Sequence, residues 1–182
     1  MNFLHKTVFK LLLIILVPFS NLVYASTQTG MTWLSAQVSN DNNYSTNTKI
    51  ATPFQSLCEM QTAFNVNGQP IPLELVNQIN SEDYNGTSYL SQKVVANLQT
   101  SGDTSILVNK LLKHQNLLNS FGEESGYHGS ILDTALALNA LSQVGVSGQN
   151  VNNALGFLLD NQQVDGSWKD GQNESSVYLR FE

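Results

Sequence analysis

The sequence is poor in the residues on which several classes of protein depend. It contains one cysteine in 182 residues, so no intrachain disulfide can form. Lysine and arginine together number 8 against 14 aspartates and glutamates, and the net charge is −6. This acidic excess, with no basic stripe, does not provide the cationic surface that nucleic acid or anionic lipid attracts. We therefore expect no nucleic-acid partner and a fold stabilised by packing alone.

The one long apolar run lies near the N-terminus. Lys6 and Lys10 flank its start, residues 11–17 are all Leu, Ile or Val, and Val23 and Ala25 stand where a signal peptidase requires small residues. The run is shorter than the roughly 20 residues that span a bilayer. We predict a secretory signal over residues 1–25, with an uncleaved anchor as the alternative. The remaining residues 26–182 then form one exported domain, periplasmic or secreted, with no stable membrane insertion.

The rest of the chain has a helical pattern of apolar residues and no convincing pair of strands. Predicted helices cover, approximately, residues 32–38, 48–64, 72–79, 90–98, 106–115, 131–144, 150–162 and 174–179. The segment 131–144 is apolar nearly all round, which is typical of a helix buried on every side. Asn150 is predicted to cap the helix that follows it. The expected fold class is all-α.

A spacing pattern recurs at the ends of the helices that precede Gln115 and Gln162. Each glutamine follows a pair of leucines at positions −4 and −3, and an aromatic residue, Phe121 or Trp168, follows six positions later. The second copy also contains Asp165-Gly166, a strong turn signal, whereas the first has Gly122 beside its aromatic residue. A weaker copy runs from Trp33-Leu34 through Gln37 to Tyr44. We predict that each copy clips one helix to the next, and that the chain is built of repeats.

The sequence from Gln162 to Trp168 resembles the QW repeat of squalene and hopene cyclases, in the superfamily of prenyltransferase and squalene-cyclase repeats. This resemblance implies an α/α toroid of inner and outer helices. A complete toroid of the family has about twelve helices, against the seven or eight predicted here, so we expect an incomplete arc that is truncated at its C-terminus. The structural residues that the resemblance assigns to the clips are Gln115, Phe121, Gln162, Asp165, Gly166 and Trp168.

The cyclases of this family protonate a polyprene with an acid in a motif that ends Asp-Asp-Thr-Ala. Asp133-Thr134-Ala135 matches the end of that motif, but Leu132 stands where the proton donor would be. Leucine cannot act as a general acid. Asp133 is thus a weak catalytic candidate, and its spacing from Ser130 predicts instead a capping box at the start of a helix.

Two other activities of the superfamily can be compared with the sequence. Protein prenyltransferases hold zinc with an Asp, a nearby Cys and a His, but Ala135 stands at the Cys position and His114 and His128 lack ligand spacing. We predict no metal and no cofactor. The thioester domains of complement and α2-macroglobulin join a Cys to a Gln three residues later, a spacing that Cys58 and Gln61 share. A buried thiol on an apolar helix face is the competing interpretation.

The favoured function is a non-catalytic, exported repeat domain that binds an unidentified protein or an apolar ligand. The first alternative is a fragment of a terpenoid cyclase or prenyltransferase whose acid lies in a missing C-terminal part. The second alternative is a thioester-containing domain that uses Cys58 and Gln61.

Overall fold

The structure, a computed structural model, describes residues 27–38 and 52–168. These residues form seven helices and no strands; the only β-type pairings they contain are isolated bridges. The predicted all-α class is confirmed over this part of the chain. The chain divides into two units, Met1–Tyr44 and Ser45–Glu182. In the first unit the structure describes one helix, α1, over residues 27–38.

The other six helices lie in the second unit. They are α2 (Pro53–Val66), α3 (Leu73–Ser81), α4 (Thr87–Gln99), α5 (Ser105–Leu112), α6 (Ile131–Gln143) and α7 (Gln149–Asp160). Helix α4 packs between α2 and α6, and each of these three helices also packs against the helix that follows it in the chain. Helix α4 thus has both α2 and α6 as neighbours, and α3, α5 and α7 each pack against the helix that precedes them in the chain.

The main core lies where α4, α5, α6 and α7 meet. Leu90 and Val94 on α4 are almost completely buried against Ala137 and Ala140 on α6. Two small residues one turn apart let the backbones of α4 and α6 approach closely, because no long side chain separates them. Leu111 on α5 adds to the same cluster. The apolar character of 131–144 thus reflects contacts on more than one side of α6, although Leu132 remains about half exposed.

The helix starts show which capping signals in the sequence are used. Helix α2 begins with a capping box that the sequence analysis missed: Gln55 N donates to Thr52 Oγ1 (3.2 Å) and Thr52 N donates to Gln55 Oε1 (2.9 Å). The prediction that Asn150 caps α7 is wrong. The N-cap of α7 is Gly148, two residues earlier, and its φ of 117° is readily adopted only by glycine.

Several predictions fall outside the described residues: the signal segment, Tyr44 of the weakest clip and the helix at 174–179. Gln37 of that clip lies inside α1 rather than after a helix end. Among the helices that the structure describes, none has the length and apolar character needed to cross a membrane.

Candidate functional site

Two turns of the same backbone geometry follow α5 and α7. We call them turn A (residues 115–121) and turn B (residues 162–168). In turn A, Gln115 and Phe121 form an isolated antiparallel bridge, and Gln162 and Trp168 do the same in turn B. Inside each bridge, the residue after the glutamine donates its N–H to the carbonyl four residues on, at 2.9 Å in turn A and 2.8 Å in turn B. The repeated spacing therefore corresponds to a repeated structure.

In each turn, the side-chain amide of the first glutamine donates a hydrogen bond within the turn. Gln115 Nε2 donates to the carbonyl of Asn119, and Gln162 Nε2 donates to the carbonyl of Gly166, both at 3.1 Å. Asn119 and Gly166 both have positive φ, 66° and 84°. The structural counterpart of Gly166 is thus Asn119, and Gly122 lies just after turn A. Asparagine is one of the few other residues that tolerate this conformation.

Turn A also contacts helix α7. Gln115 Nε2 donates to the carbonyl of Asn150 in the first turn of α7 (2.8 Å), and Asn153 Nδ2 donates to Asn119 Oδ1 (3.1 Å). The end of α5 is therefore joined to the start of α7, 35 residues later in the chain. This contact connects the helix pair α4 and α5 with the helix pair α6 and α7.

The aromatic residues of the two turns have different roles. Trp168 Nε1 donates to the carbonyl of Leu158 (2.8 Å), so the indole satisfies a carbonyl in the last turn of α7. Phe121 is fully buried in the main core, and its backbone N–H donates to Thr134 Oγ1 (3.0 Å). Asp165 acts within turn B, where its Oδ1 accepts from Ser167 N and Oγ. All of these contacts stabilise the fold.

His114, which follows the end of α5, is buried at 6% exposure. Its Nδ1 lies 2.9 Å from Thr87 Oγ1, and the Thr87 hydroxyl donates to the carbonyl of Gly122. Burial lowers the pKa of His114, while Glu124, the Glu123 backbone and Asp133 act in the opposite direction. The neutral imidazole thus ties the end of α5 to the start of α4. In the sequence, His114 lies between an apolar helix and a turn. This pattern does not distinguish a buried histidine from one on the surface.

Asp133 lies at the start of α6 as part of a cap. Ser130 Oγ accepts from Asp133 N (2.9 Å) and donates to Asp133 Oδ2 (2.8 Å). The pairing differs from a complete capping box, because the Ser130 N–H donates to the Phe121 carbonyl instead. Leu132, which the resemblance to the cyclases places at the proton-donor position, is 47% exposed. The side chains around Asp133 thus supply a structural role for its carboxylate.

Cys58 and Gln61 both lie on α2 and face neighbouring helices. Cys58 is a free, buried thiol, and burial together with the negative charge of Glu59 raises its pKa to about 12. Gln61 Nε2 donates to the Ala96 carbonyl on α4 (2.6 Å). Both residues of the thioester hypothesis therefore contribute to the contact between α2 and α4. That hypothesis stays a prediction.

A cleft of about 200 Å³ opens between α2, α4 and α6, and we call it the central cleft. Its wall includes Cys58, Glu59, Thr62, Ser91, Gln92 and Asn139. Ser91 is 3% exposed, and its Oγ has no hydrogen-bond partner in the structure. Most buried hydroxyls are paired, so this exception is informative. Sequence reasoning missed the cleft because its residues come from three separate helices.

In the part of the chain that the structure describes, no group of three or more His, Cys, Asp or Glu side chains is arranged to hold a metal ion. No family model matches the chain, and no curated protein matches it.

Proposed function

We propose that this protein is an exported, non-catalytic α/α repeat domain of the squalene-cyclase and prenyltransferase type, and that it binds an apolar ligand or a partner on a rigid helical scaffold. The alternation of helices supports the repeat interpretation: α2, α4 and α6 are neighbours, and each pairs with the next helix. This order is what an arc of inner and outer helices would have. The apolar segment near residues 11–17 supports export.

The observation that carries the proposal is the contact of turn A with α7. Gln115 Nε2 donates both to its own turn and to the first turn of α7, so one side chain connects a turn to the following helix pair. Turn B has the same hydrogen bond within the turn, from Gln162 Nε2 to the Gly166 carbonyl. A structural repeat of this kind is specific for architecture and much less so for activity.

The residues around the family's acid position favour binding over catalysis. Leu132 has no proton to donate, and the Asp133 carboxylate accepts a hydrogen bond from Ser130 at the helix start. A general acid needs a titratable group placed against its substrate, whereas the Asp133 carboxylate accepts a hydrogen bond from the Ser130 hydroxyl that caps the same helix.

The experiment is an assay of the purified chain with squalene and with farnesyl diphosphate. We expect saturable retention of the apolar probe and no new product by gas chromatography with mass detection. The Asp133→Asn variant should retain the probe equally well, since the cap can accept a neutral amide. A cyclised or transferred product that disappears in Asp133→Asn would refute the non-catalytic role and favour the enzyme alternative. Absence of any retention would refute the apolar ligand.

Export has its own test. The full chain is expressed in a bacterial host, and the mass of the product outside the cytoplasm is measured. We expect cleavage after Ala25. A product that retains residues 1–25 in the membrane fraction would contradict the signal-peptide proposal and favour the uncleaved anchor.

A further inference from the structure

We propose that the central cleft binds a short alkylammonium ligand, with its ammonium against Glu59 and its carbon chain against Val95 and Leu136. The inference rests on the binding role proposed above, for which it names a second class of ligand. It depends on the side chains of the cleft and not on the repeat family.

The charge of the cleft selects a cation. Glu59 is the only charged side chain among the residues that line it. The neighbouring Cys58 has a pKa of about 12, so its thiol is neutral at physiological pH and Glu59 alone supplies the negative charge; Lys93 acts electrostatically on Cys58 but is not among the residues that line the cleft. A single carboxylate at the edge of a partly enclosed cleft forms a charge-assisted hydrogen bond with an ammonium group. The acidic chain as a whole, with a net charge of −6, also attracts cations and repels anions.

The size and the apolar wall restrict the rest of the ligand. Val95 and Leu136 line the cleft from α4 and α6, where they can contact methylene groups. The volume of about 200 Å³ is below the roughly 300–1,000 Å³ of pockets that hold drug-sized molecules. A chain of a few carbons therefore fits the cleft better than a polyprene.

Ser91 provides the second, independent observation. Its hydroxyl is buried in the wall of the cleft and has no partner, which is unfavourable for any polar group. An ammonium group carries three N–H donors, and a single carboxylate does not use all of them. A ligand nitrogen placed between Glu59 and Ser91 would satisfy the unpaired hydroxyl with one of the remaining donors.

The test is a titration of the ¹⁵N-labelled full chain with n-butylammonium chloride, followed by amide chemical shifts at constant ionic strength. We expect saturable shifts confined to α2, α4 and α6 around the cleft. The uncharged analogue 1-butanol and the anion butyrate should bind at least about tenfold more weakly, which corresponds to the loss of one charge-assisted contact. Bound n-butylammonium should also slow the alkylation of Cys58.

Two variants and one control complete the test. Glu59→Gln should weaken binding at least about tenfold, because it removes the charge and keeps the shape. Ser91→Ala should weaken binding and raise the melting temperature, since it removes an unpaired buried hydroxyl. Glu74→Gln, which neutralises an exposed carboxylate on α3 away from the cleft, should leave the binding of n-butylammonium unchanged. Equal affinity for 1-butanol, unchanged affinity in Glu59→Gln, or no saturable shift would each overturn the proposal. These results leave the squalene assay unaffected, so the two proposals can fail separately.

Discussion

Asn119 and Gly166 occupy the same position in two turns that lie 47 residues apart in the sequence. Each has positive φ, and each accepts a hydrogen bond on its carbonyl from the glutamine that opens the turn. The two residues differ in chemistry, yet the backbone they build is the same. The shared geometry of the two turns is therefore defined by hydrogen bonds and backbone conformation, and the residue types vary within what that conformation allows.

The first prediction concerns this left-handed position. Gly166→Ala should lower the free energy of unfolding by about 1 kcal/mol, because a Cβ disfavours positive φ. No neighbouring atom lies within 4 Å of where that Cβ would be, so the loss of stability would come from the backbone conformation and not from a steric clash. Thermal or urea unfolding of the purified chain measures it.

Gly156→Ala is the matched control. Gly156 lies within α7, and its added Cβ would also meet nothing within 4 Å. Alanine is favoured over glycine inside a helix, so this variant should gain about 0.5–1 kcal/mol of stability. Two glycine-to-alanine changes should thus act in opposite directions. A gain in Gly166→Ala would contradict the assigned conformation of turn B.

The second prediction separates the packing of Trp168 from its hydrogen bond. Trp168→Phe keeps an aromatic ring but removes the Nε1 donor to the Leu158 carbonyl, so it should cost about 0.5–1.5 kcal/mol. Trp168→Ala also removes packing against the cluster of Ile131 and Leu158, and because Trp168 is only partly buried its cost should exceed that of Trp168→Phe but stay below the roughly 3–5 kcal/mol of fully buried Trp→Ala changes. Calorimetry of both variants measures the contribution of the hydrogen bond and the contribution of the ring packing separately. Equal costs would show that the hydrogen bond, not the ring, carries the effect.

The sequence predicted these turns better than it predicted the residues that surround them. The spacing from Gln115 to Phe121 and from Gln162 to Trp168 is local, and the structure places each pair in a bridge. The start of α7 was misplaced because a polar Asn150 looked like a cap, while Gly148 makes the actual entry through a positive φ.

Tertiary contacts were beyond the reach of local patterns. His114 stands beside a turn, where an exposed position is the usual expectation, but it is buried against Thr87, which lies 27 residues earlier. Ser91 and Glu59 share a cleft because α2 and α4 are neighbours. Neither neighbour relation can be read from the spacing of residues on a single helix.

The third prediction concerns pH. The pKa of His114 is lower in the folded state because the ring is buried, so the folded protein favours the neutral form. As pH falls through the ordinary histidine pKa of about 6.5, the unfolded chain binds the proton first and stability decreases. We expect the free energy of unfolding to fall between about pH 7.5 and 5.5. This range lies above the titration of most carboxylates, although burial raises the pKa of Glu123.

His114→Asn is the variant that checks this assignment. An asparagine amide can keep a donor near Thr87 Oγ1 but does not titrate. Its stability should therefore be nearly independent of pH over the same range. His128→Asn, an exposed change in the loop before α6, should leave the pH dependence of the parent chain intact. A slope that survives in His114→Asn would assign the effect to another group.

The last prediction tests the thioester hypothesis against the packing of α2. In the structure Cys58 is a free thiol with a pKa of about 12, and the Gln61 amide donates to the Ala96 carbonyl. A buried, protonated thiol is a poor nucleophile, so the native chain should react slowly with iodoacetamide and fully after denaturation. Methylamine should change neither the mass nor the number of titratable thiols.

A thioester would behave in the opposite way: the intact mass would be lower by one ammonia, and methylamine would add to Gln61 and release the Cys58 thiol. Gln61→Glu provides the control, because it removes the amide bonded to Ala96 and should lower stability in a chain without a thioester.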